Sequence, residues 1–307
     1  LARQLNDKDV DLILTNDHGV VAGLKTRLPI VLYTDVMLPF KISRTSIRLR
    51  YDLKKVPILT LKICQTTVKR SLKRAHLCVF PAEWQSIEAE KYGLSKTRNV
   101  IIPFGANIPD PGRELSEQRD FSKNVASKKV DLLFVGKDWK GKGGDTAIKV
   151  VNLLRENAID ARLHLVGVKF FDLPDHIISY GLLNKNNQGD WVLLDKLYRE
   201  SDVFLFPSLS EGSAIVPREA AAYGLPTLAY KIDGVMSSIA DGVSGLLLDQ
   251  GSTAEDFAIK IRVWFGNPEK YNRLSKQARG HYENSASWER NCESLLRIIC
   301  ERIKIYK

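Results

Sequence analysis

Short apolar runs recur along the chain, separated by amphipathic stretches with helical spacing. Asp11 to Thr15, Pro29 to Asp35, Ala75 to Phe80 and, with the glycine turn that follows it, Val100 to Asn107 are such runs in the first third. Val130 to Gly136, Arg162 to Val168, Asp202 to Phe206 and Thr227 to Tyr230 continue them. Runs this short and continuous are expected of parallel strands covered on both faces. Between them, Val20 to Lys25, Ala82 to Tyr92, Asp145 to Asn157, Asp190 to Glu200, Phe257 to Phe265 and Tyr271 to Tyr282 have helical periodicity, and Leu1 to Asp7 suggests the tail of another helix. Trp288 to Ile305 predicts a long terminal amphipathic helix. Strand and helix in alternation predict doubly wound parallel sheets.

Pro103, Pro109, Pro111 and Gly112, with the polar run to Lys129, mark a linker. The expected division is therefore a first domain over 1–112, a linker over 113–129, a second domain over 130–284, and a terminal segment over 285–307 that returns to the first. The chain begins at Leu1, inside a helical pattern, so the first domain is expected to be truncated at its N-terminus.

The segment from Phe206 to Pro226, FPSLSEGSAIVPREAAAYGLP, lies between two of the buried strands. Pro217 fits the first turn of a helix that Gly224 ends. This puts Glu211 in a loop and Glu219 at the helix start, with the amides of Gly212, Ser213, Ala214 and Ile215 expected free to meet an anion. Carboxylates next to such a position suit sugar hydroxyls, because one carboxylate accepts two hydrogen bonds from a diol. Earlier, a strand ending at Gly136 runs into a basic, glycine-rich loop, Lys137 to Gly144, and then into a helix with Asp145 as its expected N-cap. Backbone amides and lysines in that order cradle phosphate. The glycine spacing is not that of a P-loop. Taken singly, Glu219 would serve equally well to complement a helix dipole, and the loop to be a solvated basic turn.

Together these segments resemble the retaining GT-B glycosyltransferases, in particular glycosyltransferase family 4, whose Glu-x7-Glu motif matches Glu211 and Glu219 with Pro-Ser before it and Gly-Leu-Pro after it. The resemblance covers nearly all of the chain and is dense from Val130 to Leu248. It implies an α/β fold of two Rossmann-like domains facing a cleft, and metal-independent transfer of a hexosyl-type sugar from a nucleotide-sugar, UDP- or GDP-type, to a saccharide or lipid-linked acceptor. It implies that Lys137 and Lys142 grip the donor diphosphate, that Glu211 holds the donor sugar, and that Glu219 holds the ribose. Gly136, Gly181 and Leu182 would line the donor site, and the leaving phosphate would take the acceptor's proton. No cofactor beyond the donor substrate and no metal site is expected. The chain departs from the pattern twice: Asp35 stands where family members carry a histidine near the reacting sugar, and Ser237 replaces a glutamate. Asp35 and His18 remain the acceptor-side candidates, although a lone loop histidine is usually just solvated.

Other functions compete with this reading. The same fold isomerises nucleotide-sugars in epimerases, two glutamates serve as acid and nucleophile in glycoside hydrolases, and a degenerate relative would only bind. The net charge of +10 is local: eleven basic residues and one acid lie between Lys41 and His76. Ile42, Ile47, Leu49, Ile58, Leu59 and Ile63 are interleaved with these charges, which suggests an anionic membrane surface as a partner. Nothing accompanies the charge that would read nucleic acid. Cys64, Cys78, Cys292 and Cys300 have no metal-binding spacing and are expected as reduced thiols in or near the core. The expected location is cytoplasmic, peripheral at the inner face of the membrane. Asp9-Val-Asp11, an Asp-x-Asp mimic, precedes its strand and is read as a surface turn.

Overall fold

The computed structural model describes residues 10–40 and 56–303. Leu1 to Asp9 and Lys41 to Lys55, which include the expected first helix, Asp9 and the front of the basic stretch, lie outside the described residues. The chain forms two compact units, one from residues up to Phe104 together with Trp288 onward, the other from Gly105 to Ser287.

The first unit is a four-stranded parallel sheet in the order β1 (Ile13–Thr15), β2 (Ile30–Tyr33), β3 (Leu77–Phe80), β4 (Asn99–Ile101). Side chains alternate across it, as the period of two requires. Ile30, Leu32, Cys78 and Phe80 face α1 (His18–Gly23), α2 (Ile58–Arg74) and α3 (Glu83–Lys91), while Val31, Leu77 and Val79 face Leu295 and Ile299 of the terminal helix, Trp288–Ile303. Of the four cysteines only Cys78 is buried, its thiol pushed up to about 12 by burial; the other three are exposed rather than near the core.

The second unit opens with α4 (Glu114–Gln118) and α5 (Ser122–Ser127), in the stretch where the sequence suggests a linker. Two residues pin that stretch down. Phe121 is buried and stacks on Tyr271 at 4.4 Å, and Arg119 donates to the carbonyls of Tyr198, Ser201 and Tyr223. Its polarity lies on the outside of a packed segment.

Six parallel strands follow: β5 (Lys129–Val135), β6 (Asp160–Val166), β7 (Ile177–Gly181), β8 (Val203–Phe206), β9 (Thr227–Tyr230) and β10 (Gly245–Leu248). Their spatial order is β10-β9-β8-β5-β6-β7. The helices between them are α6 (Gly144–Glu156), α7 (Gln188–Glu200), α8 (Val216–Ala222) and α9 (Asp233–Met236); α10 (Ala254–Gly266) and α11 (Pro268–His281) follow the last strand. Strands β5, β6 and β7 build the sheet in one direction, and after α7 the chain returns to lay β8, β9 and β10 on the other side of β5. The order therefore reverses between β5 and β8, and open α/β sheets bind ligands just beyond the carboxyl ends of the strands at such a point.

Candidate functional site

The loops leaving β5 and β8 meet at this reversal. The β5 loop is a closed turn: the Lys142 amide donates to the Asp138 carbonyl at 2.9 Å, and that of Gly144 to Trp139 at 2.9 Å. Asp145 is not the N-cap of α6. Gly143 takes that place, with φ of +74°, and Asp145 instead accepts from the Trp139 indole at 2.7 Å. Glycine is needed at 143 for a second reason, since a Cβ there would lie 2.0 Å from the Pro207 carbonyl oxygen. The two loops touch backbone to backbone, and Leu209 seals the contact by donating to the Gly141 carbonyl at 2.9 Å.

That contact delivers Lys142 to Glu211. Nζ lies 2.5 Å from Oε1, with the carboxylate side chain 9% exposed and the lysine 28%. The Ser208 hydroxyl donates to the same oxygen at 2.8 Å. Gly136 makes the approach possible, because a Cβ on it would sit 2.9 Å from Lys142 Cγ. Lys137 is exposed at the mouth of the same loop. The expectation of four free amides after Glu211 needs correction: Ala214 donates to the Gly234 carbonyl at 3.1 Å, because the α9 segment packs directly under the loop. A Cβ on Gly234 would lie 2.2 Å from the Glu211 carbonyl oxygen. The Ser213 hydroxyl, by contrast, is buried without a hydrogen-bond partner, an unsatisfied group of the kind ligand sites leave open. Ser237, in the place of a glutamate, turns its hydroxyl back to the Gly234 carbonyl at 3.0 Å.

Glu219 sits in the first turn of α8, 1% exposed. Both its oxygens are engaged: Oε2 accepts from the Tyr198 hydroxyl at 3.0 Å, and Oε1 pairs with Lys185. Burial, with the Glu219 charge beside it, holds the Tyr198 phenol well above its ordinary pKa, so it stays a donor. Tyr198 in turn stacks on Tyr223 at 5.0 Å. Neither Lys185 nor Tyr198 stands out in the sequence, since one lies in a polar loop and the other occupies an ordinary core position of an amphipathic helix. Gly181, with φ of +74°, ends β7, and Leu182 follows it 59% exposed, an apolar side chain left in water.

In the first unit, Asp35 follows β2, half-buried, its carbonyl accepting from Gln85 at 2.7 Å. His18 is not a solvated loop residue. It is buried, with Nδ1 2.5 Å from the Ser71 hydroxyl and Nε2 2.7 Å from the Val36 carbonyl. Both ring nitrogens are used in holding α1 to α2 and to the segment after β2.

The sequence profile described as glycosyl transferases group 1 matches residues 116–281, more than half of the chain. A D-inositol 3-phosphate glycosyltransferase of Geodermatophilus obscurus is 31% identical over 223 residues, 67% of this chain and 48% of that protein. The chain spans about half the length of the curated relatives it matches. Among solved structures, Anabaena Alr3699/HepE in complex with UDP and glucose superposes with a TM-score of 0.69 at 16% identity, over 98% of this chain and 80% of that one. WaaG, a glycosyltransferase involved in lipopolysaccharide biosynthesis, gives 0.61 at 18% identity, over 96% and 80%.

Proposed function

The chain belongs to the glycosyl transferases group 1 and has the GT-B class of fold, and on that premise we propose that it moves a sugar, with retention of anomeric configuration, from a nucleoside-diphosphate sugar to a hydroxyl of a saccharide or lipid-linked acceptor. The observation that carries this reading is the contact between Lys142 and Glu211, which joins residues 69 positions apart at the reversal point of the sheet. An ammonium beside a carboxylate is what the two halves of a donor need. The cation faces the diphosphate and the carboxylate accepts from sugar hydroxyls.

In this reading Lys142 and Lys137 stabilise the charge that grows on the leaving phosphate as the glycosidic bond stretches. Glu211 holds the sugar while its ring carbon gains oxocarbenium character. The leaving phosphate takes the acceptor proton, and no metal is required. Glu219 holds the ribose diol, and Leu182 offers an apolar surface to the base. Asp35 remains the acceptor-side candidate. A UDP donor is supported by the likeness to a fold solved with UDP, and a GDP donor is the alternative.

A membrane-bound acceptor fits the surface of α2. Lys62, Lys69, Arg70 and Lys73 are exposed on it, and Ile58, Leu59 and Ile63 stand exposed at its N-terminal end. Each cation near anionic lipid contributes about 1 kcal/mol. Among the described residues, no helix is long and apolar enough to cross a membrane. We place the protein at the cytoplasmic face, held peripherally.

The test incubates the full-length protein with UDP- and GDP-sugars and candidate acceptors, and reads the product's anomeric configuration by NMR. Transfer with retention that survives chelators and is lost in Glu211→Gln is the expected result. Inversion, strict dependence on added manganese or magnesium, or binding of neither UDP nor GDP would overturn it. Vesicle co-sedimentation tests the surface: binding should rise with anionic lipid and fail when Lys62, Lys69, Arg70 and Lys73 become glutamate.

A further inference from the structure

We propose that Lys185 is a specificity-determining residue of the nucleotide site, an exchangeable counter-ion that occupies the ribose-side carboxylate and must swing away before a ribose diol can bind. The inference rests on the reading of Glu219 as the ribose ligand, and adds a group that neither the Glu spacing nor the basic loop contains.

Three observations lead to it. The first is burial: Glu219 is 1% exposed, whereas the Lys185 side chain is 35% exposed, which puts the ammonium on the solvent side of the carboxylate. The second is occupancy. Tyr198, from the protein interior, fills one oxygen of Glu219, and Lys185 fills the other. A diol arriving from solvent meets Lys185 first. The third is that Lys185 keeps a neutral partner when it leaves the carboxylate: its Nζ also lies 3.4 Å from the Asn107 carbonyl, and its backbone belongs to the exposed loop between β7 and α7.

The chemistry follows from these positions. A carboxylate buried this deeply needs a hydrogen-bonding partner on each oxygen, and Tyr198 reaches only Oε2. Lys185 supplies that partner while the site is empty, and two ribose hydroxyls supply it when the site is filled. A nucleotide with both hydroxyls can make the exchange. A 2′-deoxynucleotide, with one hydroxyl, would leave the carboxylate short of a donor. The 2′-deoxynucleotide binds with Lys185 still on the carboxylate, so only the ribonucleotide must displace the lysine, and its apparent affinity alone falls by the fraction of protein in the open form. For a pair with one partner about a third exposed, that factor is roughly five.

The experiment measures calorimetric Kd values for UDP and 2′-deoxy-UDP (or the GDP pair, whichever binds) with wild type, Lys185→Met, Lys185→Arg and Glu219→Gln. The readout is the ratio of the deoxy to the ribo Kd within each protein, so that lost charge or lower stability cancels. The ratio should rise roughly fivefold in Lys185→Met and stay at the wild-type value in Lys185→Arg, which keeps a cation on Glu219. An unchanged ratio in Lys185→Met would mean that the lysine never leaves, and a fall would mean that it holds the ribose itself; both overturn the proposal. A ratio near one in wild type, untouched by Glu219→Gln, would instead remove Glu219 from the ribose and leave Lys185 as a plain structural partner.

Discussion

Replacing Lys142 by methionine keeps most of the side-chain volume and removes only the ammonium. What remains is the Glu211 carboxylate, 9% exposed, with the Ser208 hydroxyl as its donor. Breaking a fully buried pair from one side costs about 3–5 kcal/mol. Here the lysine is 28% exposed and the serine bond survives, so the expected loss is about 2 kcal/mol. Adding Glu211→Gln removes the orphaned charge and should recover most of it. Urea unfolding of the four proteins, at one pH and salt concentration, closes the double-mutant cycle. A coupling energy within about 0.5 kcal/mol of zero would refute the pairing and with it the geometry of the site. The same proteins titrated with ligand separate binding from stability. Lys142→Met should weaken a nucleoside diphosphate by roughly ten- to a hundredfold and the bare nucleoside little, because only the former carries charge for Lys142 to meet.

The loop contact predicts a contrast between two glycines. Gly143→Ala must place a Cβ 2.0 Å from a backbone oxygen at positive φ, whereas Gly93→Ala has positive φ and nothing within 4 Å. The first should cost about 3 kcal/mol or more and the second about 1 kcal/mol; equal costs would refute the close approach. His18 predicts a pH effect. Burial lowers its pKa, against the opposing pull of the Val36 carbonyl and Asp17. The unfolded chain therefore takes up a proton near pH 6.5 that the folded one refuses, and stability is lost as pH falls below that value. In melting curves from pH 8 to 5, the advantage of wild type over His18→Asn should narrow as pH falls, and a constant gap would refute the assignment.

The inner strands were legible because β2, β3, β8 and β9 are buried along nearly their whole length and so carry apolar runs, whereas the edge strand β10 is only partly covered and is not among the predicted strands. The Lys142 loop was legible because close packing demands glycine: Gly143 by the Pro207 carbonyl, Gly136 and Gly144 by the Lys142 and Trp139 side chains, and such demands leave marks in sequence. What was not legible is set by single side chains reaching across the fold. Phe121 turns a polar run into a packed segment, Ser71 captures a histidine 53 positions away, and Lys185 finds Glu219 from a loop with no periodicity. Asp145 was a reasonable cap by residue type, and lost the place because a left-handed Gly143 had already closed the turn and Trp139 offered an indole N–H.

The first unit is made from two pieces of chain, and its last helix, Trp288–Ile303, covers the sheet face formed by Val31, Leu77, Val79 and Val100. On the ribosome those pieces are separated by the whole of the second unit, which takes roughly ten to forty seconds to synthesise. For that interval the early sheet must wait with one apolar face uncovered, while the second unit, continuous in sequence and closed by the bond from the Ala106 amide to the Ala286 carbonyl at 2.9 Å, can complete itself. The order of completion is thus the reverse of the order of translation, and the earlier-made sheet is the one that stays open longest.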